Sequence, residues 1–361
     1  MTRHAVTPYG RGAGSSRVRV FSWIDRLRLP VHTHSYLSHH NADPVQLMRQ
    51  PGRVLAAERE LRALVTGRPE WLLLHREASP LSRGGLETAL LDATAFGVYD
   101  FDDALYCDWG EGAPWRRLAP KARKALAAVR KADRVIAGNE LLADWASSIV
   151  PDVVVVPSCV AVEHYHQKVD YGLSDPPRLV WIGSADNEPL LSTIARELLE
   201  LNRRYRARVT LIGTTRRSLG ALEHIIDRIG WSEQIQHDAL ATADIGLMPL
   251  HDDPYSRGKC GYKLLQYAAA GLPAVASPVG TNASILATLG LPGAGSAGDW
   301  LDALQAILEF ADSGRAAVGR RARKRVTDQY SYDAWMGRWQ EAVGLRPARA
   351  AAAPNIEDDP P

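Results

Sequence analysis

Short apolar runs alternate along the chain with longer stretches in which apolar residues return every three or four positions. Trp71–His75, Arg178–Ile182, Arg208–Ile212 and Ala274–Ala276 are brief and bounded by turn residues, as buried parallel strands should be. Residues 4–6, 31–37, 96–99, 134–137, 153–156 and 245–250 read the same way. Between them the spacing predicts helices: one on Val18, Phe21, Ile24 and Leu27, then 44–65, 86–94, 119–134, and one starting after Asn139, a suitable N-cap. Further on, 190–204, 219–229, 264–270, 299–310, 316–329 and 331–343 are helical by the same rule. The strand–helix alternation runs through twice, which predicts an α/β chain with two Rossmann-like, doubly wound units. Their expected extents are 1–166 and 178–330, joined by a polar Gly/Pro-containing linker at 167–177.

One stretch carries chemistry as well as pattern. From 243 to 282 the order is strand, polar loop, helix, strand, loop, with Leu264, Leu265, Ala268 and Ala269 on one helical face. Lys263 and Gln266 share the other face; Gly271 ends the helix and Pro273 prevents its continuation. The preceding loop, SRGKCG, holds Arg257 and Lys259 among glycines and leads through Gly261 and Tyr262 into the helix. A glycine-containing basic loop feeding a helix N-terminus suits an anion, because free N–H groups and the helix dipole both favour phosphate.

The run KLLQYAAAGLPAVASPVG resembles the donor-site signature of the retaining, nucleotide-sugar-dependent group 1 glycosyltransferases of GT-B fold. That family shows Glu-x7-Glu before a small-residue run; here Gly258 and Gln266 stand at the two Glu positions, so neither carboxylate is present. The resemblance implies that Gln266 meets the ribose, a task its amide can perform. It also implies that Gly183 and Ser184 lie near the donor diphosphate, although that loop lacks the family's Arg and Lys, leaving Asn187 as its nearest donor. Residues 331–346 resemble the family's last helix, which crosses back onto the N-terminal unit. The glycine-rich first loop, with Gly14 and Ser15, would face the cleft. Its Gly10, Gly12 and Gly14 spacing is neither a dinucleotide fingerprint nor a P-loop, and a flexible turn is the plain alternative.

Three carboxylates, Asp100, Asp102 and Asp103, close the fourth strand. They read as a substrate-hydroxyl or proton-handling site, as an acidic helix-capping turn, or as a metal site. In the family a His commonly occupies this strand end. The resemblance to a fold that works without a catalytic metal makes no metal and no cofactor the expectation, with Arg257, Lys259 and Lys263 meeting the leaving diphosphate. His32, His34, His39 and His40 cluster without a metal-ligand spacing and read as polar loop and strand-end residues.

Composition adds limits. The chain has 361 residues, 46% hydrophobic and 23% charged, with net charge +2, so no bulk nucleic-acid signal exists. Three cysteines without a C-x-x-C pair fit a reducing compartment. No apolar leader and no long apolar run occur, so a cytoplasmic location is expected. Helix 119–134 places Lys121, Arg123, Lys124, Arg130, Lys131 and Arg134 on one side, with Leu118, Ala122, Ala125, Leu126 and Val129 on the other. It is either a core-packed helix with a solvated basic face or a peripheral anchor at the inner face of a membrane. The basic run from Arg315 to Arg325 is open to the same two readings. The Ala- and Pro-rich end, 347–361, should be disordered. The expected activity is transfer of a sugar from a nucleotide donor to an unidentified glycan, lipid-linked or small-molecule acceptor. A binding-only relative without turnover is the alternative, since both Glu positions are changed. A nicotinamide oxidoreductase lacks its fingerprint.

Overall fold

A computed structural model describes residues 2–37, 44–107, 120–213 and 218–345. His39, His40, Leu118, the first residue of the expected basic helix and the tail from 347 lie outside them. Two parallel sheets form the frame. The first contains β1 (Arg3–Tyr9), β2 (His32–Leu37), β3 (Trp71–His75), β4 (Gly97–Phe101), β5 (Arg134–Ala137) and β6 (Val153–Val155), in the order β2-β1-β3-β4-β5-β6. The second contains β7 (Arg178–Ile182), β8 (Arg208–Ile212), β9 (Ile226–Ile229), β10 (Ile245–Met248) and β11 (Ala274–Ala276), in the order β11-β10-β7-β8-β9.

Each sheet is covered on both faces, and the strand period of two divides the cores. Val6, Leu72, Leu74, Tyr99 and Phe101 point into one cluster while Ala5, Leu73, Val98 and Ile136 point into the other. In the second sheet Val180, Ile182 and Met248 oppose Leu179, Trp181 and Leu247. Strand order reverses beside β1 in the first sheet and beside β7 in the second. Ligands bind at such points, outside the carboxyl ends of the strands.

Several expectations need correction. The segment expected as helix 219–229 is a short 3-10 turn, Gly220–Ile225, followed by the edge strand β9. Gly220 has φ +63°, which breaks a helix, and the flanking isoleucines suit a strand. The expected helix 190–204 begins as a 3-10 stretch, Ala185–Ile194, around Pro189 and becomes α-helical only at Ala195–Tyr205. Proline cannot donate to a preceding turn, so the regular ladder starts after it. Asp100 lies inside β4 rather than in the turn after it.

The basic helix spans Lys121–Lys131, and Lys124 is on its buried side, not its basic face. Its ammonium meets Glu77 at 2.6 Å and the Ser79 carbonyl at 2.8 Å. Arg134 belongs to β5 and pairs with Asp152. The second basic run caps its neighbours. Arg321 donates to the Gly290 carbonyl, Arg325 to that of Thr288 and Arg323 to that of Ala269, the carbonyl ends of two helices.

After the second sheet, helix Tyr332–Ala342 returns to the first. Trp339 stacks on Trp23 with ring centres 5.0 Å apart, and Trp71 donates to the Val343 carbonyl. Among the described residues no helix is long and apolar enough to cross a membrane.

Candidate active site

The carboxyl ends of β1, β3 and β4 bring together a buried ionic chain. β1 runs into the glycine turn, and a helical segment starts at Gly14 with a π-helical stretch at Arg17–Phe21. That segment turns Arg19 inward, where its guanidinium grips both oxygens of Asp100 (3.1 and 2.5 Å) and the Val156 carbonyl (2.7 Å). Arg19 and Asp100 are almost wholly buried. His75, the last residue of β3, sits between strands: its Nδ1 is 2.7 Å from Asp100 and its Nε2 is 2.7 Å from the Ser15 hydroxyl. Ser15 also lies 2.9 and 3.0 Å from the two oxygens of Asp102. Next along the chain, Arg76 bridges Asp102 (2.6 Å) and Asp103 (2.5 Å).

Serine has one proton for these two neighbours. It donates to Asp102 when His75 Nε2 carries a hydrogen, and to His75 when it does not. The Ser15 hydroxyl can therefore turn between two acceptors without moving a heavy atom. Burial alone would raise both carboxyls, but their partners prevail: Arg19 and the His75 hydrogen bond hold Asp100 low, and Arg76, with Arg19 nearby, holds Asp102 well below the carboxylate range. Both are carboxylates at neutral pH.

The second sheet supplies the other wall, and the two halves touch. Gly258 packs so closely on Ala104 that an added Cβ would lie 2.6 Å from the Ala104 Cβ and 3.0 Å from its nitrogen. Cys260 donates to the Asp102 carbonyl, and Asn139 donates to the Gly258 carbonyl at 2.9 Å. The Asn139 side-chain oxygen also caps its own helix, as its sequence position predicts. Tyr255 reaches Asp103 at 3.3 Å. Cys260, a residue of the second half, packs within the apolar cluster of the first.

Around this seam lie the cations expected for phosphate. Lys263 crosses the Trp181 ring at 5.2 Å and crowds Gly183, while Lys259 lies 4.6 Å over Tyr255. Burial and then the charge of Lys259 lower the Lys263 ammonium to about 7, against the pull of Asp103. Arg257 points to solvent and forms an ion pair with Asp252. Gly261 begins helix Tyr262–Ala270 at φ +61°, and a Cβ there would strike Ile285. The Gly183 N–H is spent on the Ile212 carbonyl; Asn187 turns its side chain to Ser184. Gly14 faces open space.

Gln266 is buried and donates to the Tyr165 hydroxyl at 3.1 Å. The same hydroxyl takes the Gln236 amide and has Tyr262 as a further partner. Gln236 in turn accepts from Trp231, over whose ring Arg17 of the first half lies at 5.2 Å. Among the described residues no group of three His, Cys, Asp or Glu side chains is arranged to hold a metal.

The structure thus gathers Ser15, Asp102, Asp103, Lys259 and Lys263 about one seam, with Asp100 beneath it and Gln266 on the far side of the helix start. Sequence reasoning missed His75, Arg19, Arg76, Asn139, Cys260 and Tyr165. A signal existed for two of these. His75-Arg76 ends the strand beside Asp100–Asp103, and parallel neighbours place their ends together.

Residues 176–310 match the family model described as glycosyl transferases group 1. No curated protein matches the chain. Among solved structures, HepE of Anabaena in complex with UDP and glucose aligns with TM-score 0.66 at 13% identity, covering 95% of this chain and 99% of that one. WaaG, a glycosyltransferase involved in lipopolysaccharide biosynthesis, aligns with TM-score 0.64 at 14% identity, over 96% of this chain and 100% of that one. TarM of S. aureus, solved as a variant with fondaparinux, α-GlcNAc-glycerol and UDP, aligns with TM-score 0.58 at 14% identity and covers 78% of this chain. The chain spans only 58% of TarM's length. Likeness at these identities shows a shared fold: two facing Rossmann-like units, the GT-B architecture.

Proposed function

We propose, for a chain whose residues 176–310 form a group 1 glycosyltransferase domain within a GT-B fold, that it transfers a sugar from a nucleoside diphosphate donor to an acceptor hydroxyl. Retention of anomeric configuration and independence from metal ions belong to this reading, as does the cytoplasm as its compartment. The observation that carries it is the pairing of Lys259 and Lys263, at a helix start of the second half, with the Ser15–Asp102–Arg76–Asp103 chain of the first.

The chemistry asked of such a site is electrostatic. The departing diphosphate gathers charge, and preorganised cations and N–H groups meet it without reorganising. Lys263 and Lys259 take that role, with the N–H groups at Gly261–Lys263 beside them. Arg257 contributes from the rim once released from Asp252. Asp103 has its Oδ2 engaged by Arg76 and Tyr255, which among the described residues leaves Oδ1 for a sugar or acceptor hydroxyl. Ser15, half-exposed above His75, is the second hydroxyl contact. Asp100 is too buried to reach substrate and acts by holding His75 and Arg19 in place, while Asp102 holds Arg76 and Ser15. Gln266 serves the ribose after the Tyr165 hydroxyl yields. A glycan or lipid-linked acceptor enters from the first half.

A thermal-shift screen of nucleotide sugars tests the reading, with UDP-sugars first because HepE and TarM were solved with UDP. A ligand at a hundredfold excess over its dissociation constant should add about 2.7 kcal/mol. Released nucleoside diphosphate is then measured in EDTA. Absence of both stabilisation and release overturns the proposal. Activity lost in EDTA and restored by Mg²⁺ overturns its metal-free part.

A further inference from the structure

Lys259 and Lys263 depend on one short loop for their position. Residues 258–261 join helix Pro254–Arg257 to helix Tyr262–Ala270, with Lys259 in the loop and Lys263 just beyond it. Within its own half the loop leans on the turn at Gly280, where a Cβ would collide with the Arg257 backbone, and on Ile285 beside Gly261. Its other side rests on the first half.

There Cys260 is only 8% exposed, and its sulfur fills a notch floored by Gly138. A Cβ on Gly138 would lie 2.5 Å from that sulfur, against 3.1 Å from the Asp102 Cα. Gly138 is not among the glycines at positive φ, so its own backbone would admit a side chain. The seated sulfur, more than Asp102, is what excludes one. It donates to the Asp102 carbonyl at 3.1 Å. The Asn139 amide donates to the sulfur at 3.4 Å and to the Gly258 carbonyl at 2.9 Å. The walls of the notch are fixed: the Gly138 N–H bonds to the Phe101 carbonyl of β4, and Asn139 caps helix Glu140–Ser147. Groups held on regular elements place their contacts more precisely than a loop does by itself.

We infer that Gly138, Asn139 and Cys260 form a seat through which the first half sets the loop 258–261, and with it Lys259 and Lys263. They act on the donor diphosphate through the loop, as positioning residues. A misplacement of about 1 Å in a group that meets the substrate can cost on the order of a hundredfold in rate. A glycine notch in the opposite half is therefore part of what makes the donor site. The diphosphate rests on the glycosyltransferase reading, whereas the seat rests on the contacts alone.

Gly138→Ala drives a methyl group into the Cys260 sulfur, and Cys260→Ala removes that sulfur, so the two substitutions make a cycle. The probe is the tightest binder to the full chain among UDP-, GDP- and ADP-glucose. Gly138→Ala should weaken its affinity about tenfold or more, and adding Cys260→Ala should recover most of that loss. In Gly138→Ala the weakening of affinity with rising pH should also begin at a higher pH, because a loosened loop returns Lys263 to water. Maleimide labelling of Cys260, followed on its own peptide, reads the seat with no nucleotide present and should be about tenfold or more faster in Gly138→Ala. If Gly138→Ala does not fold, Cys260→Ala and Cys260→Ser carry the test. The alanine empties the notch and should cost about fivefold in affinity, while the serine keeps a donor for the Asp102 carbonyl and should bind like the parent. A lowered melting temperature with unchanged affinity and pH profile, a double variant no better than Gly138→Ala, labelling no faster than in the parent, or equal behaviour of the Cys260 variants would each overturn the inference. A parent chain that binds none of the three sugars removes the proposed reaction, and the labelling rates still decide the seat.

Discussion

Lys263 stands close to its titration point at neutral pH, and that makes it testable alone. Its free-state value of about 7 comes chiefly from burial, and an arriving diphosphate, esterified on both sides and fully ionised throughout this range, must push it up. A group whose value rises on binding contributes fully below its free value, and the contribution is lost as pH climbs toward the bound value. Nucleotide-sugar affinity should therefore be flat below pH 6 and weaken by up to about tenfold per unit above pH 7. Lys263→Arg should flatten that profile, since guanidinium does not titrate there. An unchanged slope in the Arg variant would show that another group sets it.

The carboxylates divide by burial. Asp100→Asn leaves Arg19 enclosed without its partner, and should cost about 3–5 kcal/mol of stability by denaturant unfolding. Asp103→Asn keeps Arg76 on Asp102 and should lower kcat while melting and donor affinity stay near the parent. If Asp103→Asn melts early and turns over normally, the carboxylate is structural. Because Asp100 and Asp102 are held below the usual carboxylate range, their stabilisation is present above about pH 4 and disappears as pH falls further.

At the scale of elements, Gly258, the position where the sequence resemblance would put the family's first Glu, has no room for a side chain. Its φ is ordinary, −80°, so nothing about its own backbone demands glycine. The demand comes from Ala104 across the seam, where any Cβ collides with backbone as well as side chain. Gly258→Glu should lower both turnover (about tenfold or more) and melting temperature, because overpacking costs about 1–3 kcal/mol. A faster enzyme with unchanged melting would mean that the seam yields freely. This constraint could not be read from the chain, because it lies between residues 154 positions apart. Local signals fared better: Gly271 at φ +73° and Asn139 as a cap stand where their chemistry puts them. The basic helix misled because alternating charge and alanine hide which lysine has a buried carboxylate waiting for it. Lys124 found Glu77, a residue distant in sequence.

At the scale of the molecule, the double strand–helix alternation made both sheets legible, since each strand's burial is written in its own residues. The buried ionic chain was half legible. Its acidic members announced themselves, while Arg19 and His75 looked like ordinary helix and strand residues until the strand order placed them together. The return of the last helix rests on Trp339. Trp339→Ala removes a ring stacked on Trp23 and should cost about 3–5 kcal/mol. A variant that melts with the parent would mean that this helix is not part of the folded unit.

Where the chain crosses back, Val160 and Ser331 are paired as a single bridge, and the Val160 N–H bonds to the Tyr330 carbonyl at 2.9 Å. Both passages between the halves therefore run side by side through one place. Two bodies joined by two adjacent threads keep their spacing at that place and retain mainly rotation about it. Motion that widens the seam at Gly258 and Ala104 is thus a swing on a fixed pivot, with the longest travel farthest from Val160. Spin labels placed on either side of the seam should separate, while labels flanking the pivot should hold their distance whether or not nucleotide sugar is present. Equal displacement at both places would mean that the halves slide apart instead.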